Sequence, residues 1–145
     1  MAQGMNIAAF AYLGDAIFEL CAREMLLAQG LPVHKAHRKA KGIVSAMAQA
    51  DMYHKIFPNL TQDEQAIMRR GRNLHPTTRA KNAETTSYRH ATGLEALFGY
   101  LYNRREMMRL NEIFKLCTTD EICQHQGESI CTTNTTATPT SRPIN

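Results

Sequence analysis

An apolar stretch near the N-terminus constrains the fold of this chain more than any other feature. Residues 7–29 are rich in Ala, Leu, Ile, Phe and Met, contain no proline, and are followed by Gly30 and Pro32. This order of glycine and proline is typical of a helix C-terminus. The apolar side chains do not fall on one narrow stripe, and such a helix is normally buried at the centre of a domain. We therefore expect a helical protein built around this segment.

The remaining pattern also favours helices. Thr61 and Glu64 have the spacing of a capping box, in which each residue satisfies a backbone amide of the other at a helix N-terminus. No run of alternating β-branched residues predicts a strand, so the expected fold class is all-α. The predicted helices lie at about 7–29, 33–54, 61–71, 88–102 and 105–117, with a polar loop at 74–87.

Length and composition bound the organisation of the chain. Its 145 residues, 43% of them hydrophobic, fit one domain and leave no room for a second folded module. No stretch approaches the roughly 18–20 apolar residues that a membrane span needs, so no membrane partner is expected. Residues 118–145 are rich in threonine and hold almost nothing large and apolar. We therefore expect a folded domain over 1–117 and a disordered tail over 118–145.

Cysteine usage and the N-terminus indicate a cytoplasmic protein. The segment before the apolar stretch carries no basic residue, which argues against a secretory signal. The spacing of the four cysteines is too sparse for a disulfide framework and matches no zinc-site pattern, so reduced thiols are expected. These cysteines are Cys21, Cys117, Cys123 and Cys131.

The placement of charge is more informative than its net value of +4. Residues 25–50 hold four basic residues and no acid, and residues 65–83 hold five basic residues and no acid. The rest of the chain is therefore net acidic. Such clustering indicates a polyanionic partner, although a solvated basic surface without a partner accounts for a charge run equally well.

Two carboxylates interrupt otherwise apolar helical segments. Asp15 lies in the middle of the first helix, and Glu95 lies in the apolar run over residues 91–102. A buried carboxylate is costly unless it is paired or bound to a cation. Asp also has a poor propensity for helix interiors, so Asp15 is doubly out of place.

Glycines beside both acids predict how these two helices meet. Gly14, Gly93 and Gly99 each cost about 1 kcal/mol relative to Ala inside a helix, and close approach of two backbones is the compensation that we expect. If the helices pack there, Asp15 and Glu95 meet and repel each other unless a divalent cation lies between them. Mg²⁺ suits such a site because it uses one or two carboxylates and otherwise binds water and substrate phosphate.

An ordinary ion pair is the alternative role for each acid. Arg23 and Arg89 are the candidate partners of Asp15 and Glu95. Glu19 lies four residues before Arg23, and this i,i+4 spacing favours a surface pair on one helix face.

Several segments resemble a known family. Tyr-Leu-Gly-Asp15-Ala, followed about eighty residues later by Ala-Thr-Gly-Leu-Glu95-Ala-Leu-Phe-Gly-Tyr-Leu-Tyr, is similar to the two signature helices of the ribonuclease III endonuclease domain. The likeness covers about residues 5–117 and is greatest to the short bacterial branch, the Mini-ribonucleases III. The segments that resemble this branch in particular are 44–50, 69–73 and 88–92.

The resemblance implies an all-α endonuclease domain that acts as a homodimer on double-stranded RNA. The typical substrate is precursor 23S ribosomal RNA, with a ribosomal particle as a further partner, and cleavage leaves a 5′-phosphate and a 3′-hydroxyl. Asp15 and Glu95 match the two catalytic carboxylates that bind Mg²⁺. Larger family members carry two more acids at positions where this chain has Ala11 and Thr92. Mini-type members lack those acids too, so the resemblance leaves the number of metal ions open.

Shape rather than sequence is expected to govern binding, because A-form RNA presents 2′-hydroxyls and phosphates across a wide minor groove. The predicted RNA contacts are Lys35, Arg38, Lys39, Lys41, Arg69, Arg70, Arg72, Asn73, Arg79, Lys81 and Arg89. We expect Leu94, Phe98 and Leu101 to build the core and the dimer interface.

Two rival functions are considered beside the ribonuclease. The first is a catalytically silent RNA-binding or ribosome-assembly module, which has no reason to keep carboxylates in apolar helices. The second is a small helical DNA-binding protein, which fits the basic charge but leaves Asp15 and Glu95 without a role. The presence of both acids favours the enzyme.

Overall fold

A computed structural model describes residues 4–74 and 83–126, and six α-helices account for most of them. They are α1 (Ile7–Ala28), α2 (Val33–Ile43), α3 (Ala46–Ile56), α4 (Gln62–Arg72), α5 (Ala83–Asn103) and α6 (Met107–Gln126), with a 3-10 turn at Phe57–Asn59 between α3 and α4. No strand occurs in these residues, which confirms the all-α class. None of the described helices is both long and apolar enough to cross a membrane.

Helix α5 lies at the centre of the fold. It packs most extensively against α1, and its other faces contact α3 and α4. A cluster of aromatic rings fills the space between α1, α5 and α6, where Phe18 meets Phe98 and Phe114 edge to face at centroid distances of 5.1 and 5.5 Å. The expectation that α1 is buried on nearly all sides is wrong, because Tyr12 is 87% exposed and Leu20 is 55% exposed.

The predicted helix over residues 33–54 is two helices. Ser45 begins α3 as its N-cap, and its hydroxyl accepts a hydrogen bond from the Ala48 amide at 3.2 Å. A serine at an N-cap satisfies one of the amides that have no partner inside the helix, so ending one helix and beginning the next at this position costs little free energy.

The predicted capping box begins α4. The Glu64 amide donates to the Thr61 hydroxyl at 3.2 Å, and the Thr61 amide donates to the Glu64 carboxylate at 2.9 Å. Arg109 of α6 then donates two hydrogen bonds to the same carboxylate, both at 2.8 Å, and a third to the Asn59 carbonyl at 3.2 Å. These bonds hold the pKa of Glu64 below its ordinary value and join the start of α4 to α6.

Two boundaries differ from the sequence prediction. Helix α5 begins at Ala83, inside the loop predicted over residues 74–87, and the rest of that loop from 75 to 82 lies outside the described residues. Helix α6 continues past the predicted domain end at Cys117, and Thr118 is buried with its hydroxyl donating to the Phe114 carbonyl at 2.9 Å. The predicted disorder of 127–145 likewise falls outside the described residues.

Candidate active site

The site begins with a backbone contact between α1 and α5. A Cβ at Gly14 would overlap the carbonyl oxygen of Glu95, and a Cβ at Gly99 would overlap the carbonyl of Phe10. The predicted close approach of the two helices at these glycines is therefore present. Gly93 faces the opposite side of α5, where its Cβ would lie 2.7 Å from the Met68 carbonyl oxygen.

This contact brings the two carboxylates within electrostatic reach of each other. Glu95 is half-buried, and Asp15, next to Gly14, is exposed. Burial raises the pKa of Glu95, the charge of Asp15 raises it further, and the result is a pKa of about 7. The expectation that both acids are buried is therefore wrong for Asp15, whereas the charge of Asp15 does act on Glu95.

The ion-pair alternative finds no support in the described part of the chain. Neither Asp15 nor Glu95 forms an ion pair there. Arg23 pairs with Glu19, as the i,i+4 spacing predicts. Arg89 instead donates to the Arg72 carbonyl at 3.2 Å. The two acids thus share a site in which negative charge is left uncompensated by the described side chains.

Gln49 of α3 is a third member of the site, and the sequence did not single it out. Its side chain is 1% exposed and lies close enough to the Glu95 carboxyl to lower the pKa of that group. Its Nε2 nevertheless has no partner at good hydrogen-bond geometry. A buried polar group left in this state costs about 1–3 kcal/mol. The available signal was an amide among the small and apolar residues of 46–50.

The positions of the two additional acids in larger family members offer no ligand here. Ala11 and Thr92 are each 6% exposed, and the Thr92 hydroxyl donates to the Tyr88 carbonyl at 3.0 Å. The described residues contain no group of three His, Cys, Asp or Glu side chains able to hold a metal ion. A pair of carboxylates open to solvent on one side fits Mg²⁺, which keeps several waters in its coordination shell.

One predicted basic surface lies at the end of α4 and the start of α5. Arg69 and Arg70 are exposed there. The Arg89 side chain donates to the Arg72 carbonyl, and the Arg72 Nε donates to the Asn73 side chain at 3.3 Å. We call these five residues the α4–α5 basic surface. Arg79 and Lys81 lie outside the described residues. Gly71, between these arginines, packs against Gly93 and Ala96, so the surface borders the helix that carries Glu95.

The other basic set lies on α2. Its members, Lys35, Arg38, Lys39 and Lys41, are all exposed. Helix α2 packs against α1 and α3, whereas α4 packs chiefly against α5. The two basic sets are therefore carried by separate elements of the fold.

The apolar residues expected in both core and dimer interface belong to the core. Leu94, Phe98 and Leu101 are fully buried within one protomer, so they leave no surface for a second copy. Large apolar side chains that remain exposed include Tyr12 at 87%, Met47 at 71% and Met108 at 90%.

The sequence of the chain is similar to those of several known proteins. The family model of the ribonuclease III domain matches residues 8–105. The chain is 44% identical over 106 residues to Mini-ribonuclease 3 of Symbiobacterium thermophilum, covering 72% of this chain and 82% of that protein. It is 39% identical over 129 residues to Mini-ribonuclease 3 of Clostridium tetani, covering 86% and 85%.

A solved structure has the same fold. The crystal structure of a Fusobacterium nucleatum protein superposes with a TM-score of 0.70 at 28% identity and covers 82% of this chain and 96% of its own. The family match spans the helices that carry Asp15 and Glu95, and the relatives match most of their own length. The chain therefore belongs to the ribonuclease III family, among its Mini-ribonuclease 3 members.

Proposed function

We propose that the protein is a Mg²⁺-dependent endonuclease that cleaves double-stranded RNA. Asp15 and Glu95 form its active centre. The observation that carries the proposal is the pair of carboxylates brought together by the Gly14 contact, without a cationic partner among the described residues. A pair of this kind opposes folding unless a cation joins it. The family supports the substrate class, since ribonuclease III domains act on duplex RNA.

Each carboxylate has a distinct position in the proposed mechanism. Asp15 is exposed and faces the solvent from which the phosphodiester arrives, whereas Glu95 is half-buried and held by the α1–α5 contact. Bound Mg²⁺ supplies Lewis acidity, which activates water and neutralises charge in the transition state. Asp15 and Glu95 would hold the ion, and hydrolysis of the P–O3′ bond by water would leave a 5′-phosphate and a 3′-hydroxyl.

The basic surfaces are the proposed contacts with the RNA backbone. The α4–α5 basic surface would hold phosphates of one part of the duplex. The lysines and arginine of α2 would contact another part of the duplex. Binding through phosphates releases counterions, so affinity should fall steeply with salt.

A homodimer is the proposed working form. Tyr12 lies three residues before Asp15 on the exposed side of α1, and an exposed tyrosine at this position suits an interface beside the active site. Two-fold symmetry would place one centre on each strand of the duplex.

The proposed substrate is precursor 23S ribosomal RNA, cleaved in the cytoplasm on or near a ribosomal particle. The relatives named Mini-ribonuclease 3 support this assignment. A silent RNA-binding module is the second candidate, but it would gain nothing from a Glu95 whose pKa is raised to about 7 by burial and by the charge of Asp15.

Cleavage of a duplex RNA in Mg²⁺, compared with chelator, tests the proposal. We expect cleavage only with the metal and only of the duplex, with single-stranded RNA and duplex DNA as control substrates. Asp15→Asn should abolish cleavage and leave RNA binding intact or stronger, because one negative charge is removed from the phosphate site. Full cleavage by Asp15→Asn would refute the assignment.

A further inference from the structure

Gln49 is an exception among the buried polar side chains of the described residues. Glu64 is bonded by Arg109, and the hydroxyls of Thr92 and Thr118 donate to backbone carbonyls within their own helices. Besides the Gln49 amide, the Tyr53 hydroxyl is the one buried side-chain group in this part of the chain that lacks a partner. Tyr53 lies near Arg69 and Arg72, so its hydroxyl is beside the α4–α5 basic surface.

The surroundings of Gln49 identify the acceptor that its amide can reach. Helix α3 packs against α5, and Gln49 is 1% exposed at this contact, so water has almost no access to it. The Glu95 carboxyl lies close enough to this amide for the amide to lower its pKa, although Nε2 forms no hydrogen bond of good geometry. Only an ionised carboxylate offers both oxygens as acceptors, and a hydrogen bond to an ionised group is about twice as strong as one between neutral groups.

We propose that Gln49 is a positioning residue of the metal centre: its Nε2 donates to the Glu95 carboxylate and holds that carboxylate in the orientation that binds the cation together with Asp15. The inference rests on the proposed function, since it takes Asp15 and Glu95 as the metal-binding pair. Carboxylates that bind metals are generally held by hydrogen bonds from neighbouring side chains, and loss of such a partner weakens metal binding.

A purely structural role predicts a different behaviour from the same substitution. Gln49→Met keeps an unbranched side chain of similar length and removes only the amide, so no cavity is opened. If the amide only filled space, metal binding would be unchanged. If it positions Glu95, metal binding weakens while the metal-free fold keeps its stability, because a buried amide without a good partner has been removed.

Thr118→Val is the matched control. It also removes a buried polar group at nearly constant volume, but on α6, where the hydroxyl bonds to the Phe114 carbonyl. Two quantities are compared among wild type, Gln49→Met and Thr118→Val. The first is the affinity for Mn²⁺ without RNA, measured from the electron paramagnetic resonance signal of the free ion. The second is the Mg²⁺ concentration that gives half-maximal cleavage of duplex RNA.

We expect Gln49→Met to lower the Mn²⁺ affinity about ten-fold and to raise the half-maximal Mg²⁺ concentration about ten-fold. Its metal-free melting temperature should equal or exceed that of wild type. Thr118→Val should leave both metal quantities at their wild-type values. Wild-type Mn²⁺ affinity in folded Gln49→Met would overturn the inference, and Gln49→Leu gives the same measurement if the methionine variant does not fold. If wild type cleaves duplex RNA and Gln49→Met has the same Mn²⁺ affinity and Mg²⁺ dependence, this inference alone is overturned. Full cleavage by Asp15→Asn would overturn the proposed function.

Discussion

Gly14 of α1 and Glu95 of α5 are in contact through their backbones, and a single Cβ at position 14 would overlap the Glu95 carbonyl oxygen. Asp15 follows Gly14 directly, so the same contact that joins the helices also sets where the two acids stand relative to each other. Packing and chemistry therefore depend on the same few atoms.

Gly14→Ala should impair both stability and cleavage. The added methyl group must push α1 away from α5, and overpacking of this kind costs about 1–3 kcal/mol. Urea unfolding gives the stability, and initial cleavage rates give the activity. Gly42→Ala on α2 is the control, because nothing lies within 4 Å of a Cβ there and alanine should stabilise that helix. Equal stability of the two variants would contradict the contact.

Glu95→Gln should remove a pH dependence from the metal-free protein. Glu95 has a raised pKa of about 7 in the folded state against an ordinary value of 4.5, so the folded chain holds a proton that the unfolded chain has released between these values. The free energy of unfolding then decreases as pH rises from about 4.5 to 7, by at most about 3 kcal/mol.

Unfolding of wild type and Glu95→Gln across this pH range, in chelator, measures the effect. Glu95→Gln should be the more stable protein near pH 8 although it is inactive, and Mg²⁺ should restore stability to wild type alone. Glu24→Gln, which changes an exposed acid of α1, should follow the wild-type profile. Identical profiles for Glu95→Gln and wild type would mean that the pKa of Glu95 is not raised in the folded protein.

Arg109→Met should destabilise the fold strongly. It leaves the 5%-exposed Glu64 without its two hydrogen bonds from Arg109, and breaking a buried pair on one side costs about 3–5 kcal/mol. Because the pKa of Glu64 is lowered in the folded state, its contribution is present above the ordinary value of 4.5 and is lost as pH falls through the folded pKa. Thermal unfolding at neutral and acid pH checks both statements.

Arg104→Met is the control for this pair. Arg104 and its partner Glu106 are 54% and 39% exposed, and surface pairs of this kind contribute little to stability because water screens both charges. A loss as large as that of Arg109→Met would show that burial is not what distinguishes the two pairs.

Arg70→Ala should weaken RNA binding uniformly across duplex sequences. Arg70 is exposed on the α4–α5 basic surface, so its removal should reduce the slope of log affinity against log salt concentration by about 1. Fluorescence anisotropy with a labelled duplex at several salt concentrations gives the slope. Lys115→Ala removes an exposed charge from α6 and should leave the slope at its wild-type value.

Truncation should separate the end of α6 from the threonine-rich tail. A chain that ends at Cys117 loses the buried Thr118 and the last turns of α6, and its melting temperature should fall. A chain that ends at Gln126 should keep wild-type stability and cleavage, because residues 127–145 lack the apolar side chains needed to bury a core. A fall of equal size in both chains would assign the tail to the fold.

The sequence predicted well those features that depend on local pattern. The end of α1 before Gly30 and the capping box at Thr61 are both local devices, and both occur where predicted. The close approach at Gly14 was also predictable, because a glycine inside an apolar helix weakens that helix unless a second backbone packs against it.

Features that depend on which helices meet were not predictable in the same way. Ser45 is unremarkable in sequence, yet it divides one predicted helix into α2 and α3. The exposure of Asp15 depends on which face of α1 lies against α5, and the sequence pattern did not identify that face. Gln49 enters the site only because α3 packs against α5, a relationship between segments more than forty residues apart.

The contact of Gly99 with the Phe10 carbonyl has a consequence for how this protein can change over time. Every amino acid other than glycine would add at least one carbon at that position, so every substitution there meets the Phe10 carbonyl. A random library selected for cleavage should therefore recover glycine at positions 14 and 99 while exposed positions such as Met47 and Met108 vary. The spacing between the acids would then be inherited from two residues that have no side chain.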